Sequence, residues 1–214
     1  MPNRLASRRV WVFDLDNTLY PPEIRLFDQI EARMTAYVME ALGLDRTEAD
    51  RLRRNYWAEY GTTLSGLMTE HGLDPAPYLA AVHDISLDAL DADPELRAAI
   101  LALPGRRIVH TNGCAAYAAR VLEARGLAGV FDAVYGIAET GFEPKPVAAA
   151  FAAVIAADGI VPAAAVMFED DIRNLAVPHA LGMATVHVAA EPSAADHVHH
   201  HTADLRTFLA CASS

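Results

Sequence analysis

The sequence predicts an α/β protein built on a parallel sheet, with a block of helices inserted after the first strand. Three observations carry this expectation. A short apolar run, residues 10–13, ends at two closely spaced acids. Residues 22–92 then keep helical spacing almost throughout. Beyond residue 105, short apolar runs alternate with helical segments, the pattern of βαβ units whose strands are parallel and whose crossovers are right-handed.

Residues 10–14 read as a buried strand, after which Pro21 and Pro22 punctuate the chain. From Ile24 to Gly43 the residues Ile24, Phe27, Ile30, Met34, Tyr37, Val38 and Ala41 recur at the period of a helix. A second helix is expected from Thr47, a side chain able to cap it, to Tyr60, and shorter ones over 63–70 and 76–83. Asp93-Pro94-Glu95 puts an acid at an N-cap and proline at the first helical position, and Pro104-Gly105 ends that helix. Strands are then expected over 108–111, 131–136, 164–168 and 184–188. Helices over 115–125, 146–158 and 172–181 alternate with them, and Gly126 and Gly182 close two of these. The resulting division is an α/β core of residues 1–21 and 93–214 and a helical insertion of residues 22–92. His197, His199, His200 and His201 precede a last helix over 202–209. With Asp196 the one carboxylate nearby, they read as a mobile, solvated loop rather than a metal site.

Composition narrows the function classes. The 214 residues, 53% of them hydrophobic, suffice for one core of ordinary size with a smaller added module. No apolar run approaches the roughly 18 residues of a membrane helix. Met1 to Arg9 lacks a signal-type apolar region and cleavage site, so a cytoplasmic protein is expected, as a monomer or homodimer. Two cysteines, Cys114 and Cys211, are too few for a disulfide framework. Cys114 can open a helix, which would lower its pKa, but no base stands beside it in sequence, and it reads as an inert small residue. A net charge of −11 argues against a nucleic-acid polymer or an anionic membrane surface as partner. It leaves room for a small phosphate ester, because a bound divalent cation dominates its local field.

The strand ends carry the chemistry. The first gives Asp14 and Asp16, the second Thr111 and Asn112, and the fourth Glu169, Asp170 and Asp171; Lys145 lies in the loop after the third. A parallel sheet gathers all four loops at one edge, where open α/β folds keep their ligand sites. Carboxylates that close repel one another unless a cation or a shared proton compensates, and a hard cation prefers such oxygen ligands. A hydroxyl and backbone amides at a helix start can receive phosphate oxygens. Lys145 is the single lysine among 17 basic residues. A solvated side chain is the usual fate of a lysine, yet a lone lysine in an arginine-rich chain asks what arginine could not do there.

In this order and spacing the residues resemble the haloacid dehalogenase-like (HAD) hydrolase superfamily. Asp14-Leu15-Asp16-Asn17-Thr18 resembles its DxDxT motif, Thr111 its strand-ending Thr or Ser, Lys145 its lysine and Glu169-Asp170 its acidic pair. The resemblance implies a Rossmann-like core with an inserted helical cap of the C1 type, subfamily IA, and Mg2+ as cofactor. It implies Asp14 as nucleophile forming an aspartyl-phosphate, and Asp16 as general acid, then base, with its backbone carbonyl on the metal. Asp14, Glu169 and Asp170 would complete the metal site, with Asp171 capping the next helix. Thr111 and the Asn112 amide would hold phosphate, and Lys145 would bridge it to Asp14.

An acid at the position of Asp16 accompanies phosphatases and phosphomutases in this superfamily, and dehalogenases lack it. A phosphonatase needs a lysine on its cap, and this chain has none there. Residues 14–21, 56–67, 82–85, 111–113 and 142–146 resemble the pyrimidine 5′-nucleotidase-type subgroup, which implies UMP or CMP as substrate. The alternatives are a sugar-phosphate phosphatase or phosphoglucomutase-like enzyme and a non-catalytic regulatory module. Within the helical insertion Tyr56, Trp57 and Tyr60 read as core, and Arg53 and Arg54 as a solvated face. His83 and Asp84 fit either substrate contact or helix capping.

Overall fold

The computed structural model describes Leu5 and residues 7–212. Residues 1–4 and 6, part of the stretch weighed as a signal segment, lie outside the described residues. Six parallel strands form one sheet: β1 (Val10–Phe13), β2 (Arg106–His110), β3 (Ala133–Tyr135), β4 (Ala165–Glu169), β5 (Ala184–Val188) and β6 (His200–Thr202). Their order is β3-β2-β1-β4-β5-β6. This is the expected α/β architecture. Central parallel strands are covered on both faces and therefore apolar on both. Trp11, Val12 and Phe13 of β1 and Val166, Met167 and Phe168 of β4 are all buried, and Phe13 stacks on Phe168 with ring centroids 4.5 Å apart. The chain steps outward from β1 to β3, then crosses to the other side of β1 to lay down β4. Strand order thus reverses between β1 and β4, and the crevice beyond their carboxyl ends is where such sheets bind ligands.

Between β1 and β2 the chain forms α1 (Leu26–Leu42), α2 (Arg46–Tyr60), α3 (Thr63–His71) and α4 (Pro75–Val82). Asp45, not Thr47, caps α2: its side chain accepts from the Glu48 amide while the Glu48 carboxylate accepts from the Asp45 amide. Gly66 lets α3 close on α2, since a Cβ there would lie 2.2 Å from the Tyr56 ring. Buried Arg125 ties together the two crossings between this insertion and the sheet. It donates to the carbonyls of Leu19 and Asp91 and to the carboxylate of Asp93.

The remaining helices are α5 (Pro94–Leu101), α6 (Ala115–Ala124), α7 (Ala148–Asp158), α8 (Ala176–Ala180) and α9 (Leu205–Ala212). Three further expectations change. Helix α7 begins at Ala148, with Val147 at its N-cap and Pro146 in the loop before it, where the Lys145–Pro146 peptide is cis. Residues 172–181 divide into a 3-10 turn, Ile172–Leu175, capped by Asp171, and the short α8. The histidine-rich stretch is a loop only in part: His197 and His199 lie in the turn before β6, with His199 exposed, whereas His200 and His201 lie in β6, at the sheet edge. His201 Nε2 lies 2.8 Å from the Ala189 carbonyl, His197 Nε2 3.0 Å from that of Ile172, and His199 Nδ1 2.9 Å from Thr185 Oγ1. Edge strands tolerate such polarity, which is why the run does not read as a strand. No helix among the described residues is long and apolar enough to cross a membrane.

Candidate active site

Asp14 follows β1 directly and is buried, with its amide bonded to the Phe168 carbonyl of β4. Its Oδ1 accepts from Lys145 Nζ at 2.6 Å and its Oδ2 from Thr18 Oγ1 at 3.3 Å. Lys145 is 1% exposed, contrary to the usual fate of a lysine, and donates a second bond of 2.6 Å to Glu169 Oε2. The Asn112 side chain fixes the lysine's backbone: its Oδ1 accepts from the Lys145 amide and its Nδ2 donates to the Lys145 carbonyl. That use of the Asn112 side chain was invisible in the sequence, which pointed only to its amide. Thr111 is buried at the end of β2 and accepts from the Gly113 amide, leaving its hydroxyl proton available to a ligand.

The acidic cluster is compact. Asp14, Glu169 and Asp170 each offer an oxygen, all within 4.8 Å of one another. Asp171 stands apart, its carboxylate paired with the Arg173 guanidinium at 2.6 Å and capping the following turn. Asn17, in the left-handed region, donates from its side chain to Asp170 at 3.2 Å, a contact the sequence did not suggest. Burial first, then the charge of Glu169, pushes Asp14 up to about 8. Burial raises Glu169 to about 7, and burial with the charge of Asp14 raises Asp170 to about 6. Burial alone would pull Lys145 down, but Asp14 and Glu169 hold its ammonium charged well above its usual range. One lysine facing three acids leaves an excess of negative charge, which adds to the larger effect of burial in raising Asp14 and Asp170. A hard divalent cation fits this donor set of three close carboxylates, in which Asp14 and Glu169 share Lys145 and Asp170 is bound by Asn17 alone among the side chains donating to it.

Asp16 lines the same cleft, and its Oδ1 accepts from Tyr20 at 2.6 Å and from Tyr117 at 2.7 Å. Burial raises its pKa. His83, after α4, stacks on Tyr117 with centroids 4.5 Å apart and lies 3.3 Å from Cys114 Sγ. Folding therefore supplies Cys114 with an imidazole neighbour that sequence distance concealed. Burial lowers His83 to about 4. Asp84 faces solvent and pairs with Arg33.

The cleft encloses about 460 Å³, within the ordinary range for small-ligand sites. Its floor holds Asp14, Asp16, Thr111, Asn112, Lys145, Glu169 and Asp170; Ile30, Met34, Leu64, Leu79 and Val82 form an apolar wall opposite. Arg53, expected on a solvated face, is nearly buried there and pairs with Glu31 at 3.0 Å. Of the aromatic trio on α2, Tyr56 is core as expected. Trp57 is instead half-exposed, with the Arg173 guanidinium 3.8 Å from its ring centroid.

The fold agrees with the comparisons. Residues 9–182 match the family model of the haloacid dehalogenase-like hydrolases, and the chain belongs to that family. It is 28% identical over 144 residues to Phosphate metabolism protein 8 of Saccharomyces cerevisiae, a match covering 63% of this chain and 45% of the yeast protein. The chain thus spans less than half the length of that relative. A HAD phosphatase from Thermococcus onnurineus shares the fold at 18% identity and a TM-score of 0.59, over 90% of this chain and 92% of that one. Bacillus subtilis YfnB, in a structure bound to magnesium, does so at 16% identity and a TM-score of 0.59, over 96% and 98%. An L-2-haloacid dehalogenase from Xanthobacter autotrophicus is similar at 17% identity and a TM-score of 0.52, over 87% and 79%.

Proposed function

We propose that this hydrolase is a Mg2+-dependent phosphomonoesterase acting through an aspartyl-phosphate on Asp14, with pyrimidine nucleoside 5′-monophosphates such as UMP and CMP as its substrates. One observation carries the reading. A buried carboxylate at the strand-order reversal is held by the chain's single lysine, with two further acids within 4.8 Å. Asp14, Asp170 and the Asp16 carbonyl would hold the metal, with Glu169 behind them. A divalent cation there supplies the positive charge that keeps Asp14 ionised and draws in a dianionic phosphate. Phosphoryl transfer asks mainly for positioning and charge neutralisation. An Asp14 oxygen attacks phosphorus as the bond to the leaving oxygen breaks, and that oxygen takes a proton from Asp16. Water then attacks the phosphoryl group, Asp16 takes its proton, and the bond from phosphorus to Asp14 breaks to release inorganic phosphate. Lys145 balances the charge on Asp14 and phosphate throughout, and Thr111 with the Asn112 amide steadies the phosphate oxygens.

Residues 22–92 act in this reading as a cap over the cleft. The apolar wall, with the Arg53–Glu31 pair inside it, suits a flat leaving group that has both an apolar face and a hydrogen-bonding edge. Phosphate release measured across nucleoside monophosphates and sugar phosphates, with Asp14→Asn as blank, tests the proposal. Preference for UMP and CMP, abolished by EDTA and restored by Mg2+, is expected. Metal-independent release would overturn the mechanism, and preference for sugar phosphates would overturn the substrate.

A further inference from the structure

Asp16 is bound asymmetrically. Tyr20 and Tyr117 both donate to its Oδ1, at 2.6 and 2.7 Å, and no residue among those described donates to Oδ2. The two phenols reach it from different places. Tyr20 lies four residues on, where the chain leaves β1 for the helical insertion. Tyr117 lies in the first turn of α6, with His83 stacked on its ring. Both are 1% exposed, so water does not compete for their hydroxyls. A carboxylate oxygen has about two acceptor sites, and two O–H donors fill them. A proton on Oδ1 would have to displace one phenol from the carboxylate, leaving it only the other phenol within reach and exchanging a bond to a charged acceptor for a weaker one. The same pair of bonds resists rotation of the carboxylate, which would exchange its oxygens.

We propose that Tyr20 and Tyr117 are positioning residues that confine the transferable proton of Asp16 to Oδ2, the oxygen left free on a residue lining the cleft. The inference rests on the reading of Asp16 as general acid. Without the clamp the proton would divide its time between two oxygens and the carboxylate between orientations, and protonation of the leaving oxygen would slow. A leaving group that departs as a stable anion needs no such proton, so the clamp should matter for alkyl phosphates and little for aryl ones.

The test compares kcat/KM for UMP, whose leaving group is an alkoxide, with that for p-nitrophenyl phosphate, whose leaving group is stable, in wild type, Tyr20→Phe, Tyr117→Phe, the double variant and Asp16→Ala. General-acid catalysis contributes about 10²-fold or more, so Asp16→Ala should lower the ratio of kcat/KM for UMP to kcat/KM for the aryl ester by about that factor. The double tyrosine variant should lower the ratio by about tenfold, and each single variant by less. Equal losses on both esters, or no loss, in tyrosine variants beside a discriminating Asp16→Ala would overturn the clamp alone. An Asp16→Ala enzyme that does not discriminate would overturn the general-acid reading, and the clamp with it. Each single variant removes one of the two donors, so one that folds suffices. Its crystal structure should show the Asp16 carboxylate in more than one rotamer; a single unchanged rotamer would count against the clamp.

Discussion

At the sheet edge Lys145 is 1% exposed and bonded at 2.6 Å to two carboxylates, while across the cleft Trp57 is 50% exposed and stacked on one guanidinium. The floor is a closed network. Asn112 holds the backbone of Lys145, Lys145 holds Asp14 and Glu169, and Asn17 holds Asp170. The wall is mostly apolar side chains of α1, α3 and α4, with Arg53 and Glu31 the polar pair among them. Charges that must stabilise a transition state work best when fixed in advance, whereas a wall that selects a leaving group can vary without disturbing them. In the proposed function the floor is the seat of the chemistry and the wall the seat of choice.

The largest effect should come from the floor. Lys145→Arg keeps the charge but forces a planar fork into a slot shaped for an ammonium, and kcat should fall by about 10²–10³-fold. Steady-state phosphate release checks this, and near-normal turnover would break the claim that the floor is rigid. Arg125→Ala attacks the junction between floor and wall. Removing a buried guanidinium that binds Leu19, Asp91 and Asp93 should cost about 3 kcal/mol in a denaturant titration.

His83, at the same junction, gives a pH test. Its pKa falls from 6.5 to about 4 because burial disfavours the imidazolium. The fold therefore favours the neutral ring, and that stability is present above 6.5 and lost as pH falls through about 4. The contribution is at most about 3 kcal/mol, and a His83→Gln variant should show a correspondingly flatter stability profile between those limits. The smallest effect belongs to the wall. Trp57→Ala should raise KM for the preferred nucleotide by roughly tenfold with kcat little changed, the mark of lost ground-state binding. A fall in kcat instead would place Trp57 with the chemistry.

The floor was largely legible in the sequence because its residues sit at strand ends, where period, turn and acid coincide. Asp14, Asp16, Thr111, Lys145 and the Glu169-Asp170 pair could all be named, and the topology brings them to one crevice. What stayed hidden depends on approach in three dimensions. Nothing in the spacing of Tyr117 and Asp16, 101 positions apart, announces a hydrogen bond. The meeting of His83 with Cys114 and the stacking of Trp57 on Arg173 likewise arise from how the helical insertion lies against the sheet. The histidine-rich strand was missed for another reason: an edge strand has no need of the apolar alternation that makes strands readable. Thr47 lost its capping role to Asp45 because the capping box adds a second, reciprocal bond.

The most direct test of the floor as the seat of chemistry is peptide mass analysis of the Asp16→Ala variant, quenched in acid after mixing with Mg2+ and p-nitrophenyl phosphate, whose leaving group needs no proton. Loss of the general base should let the phosphorylated enzyme accumulate, with one added phosphoryl group on the peptide containing Asp14 and none in an Asp14→Asn/Asp16→Ala control. A phosphoryl group on any other residue, or turnover by Asp14→Asn, would contradict the account.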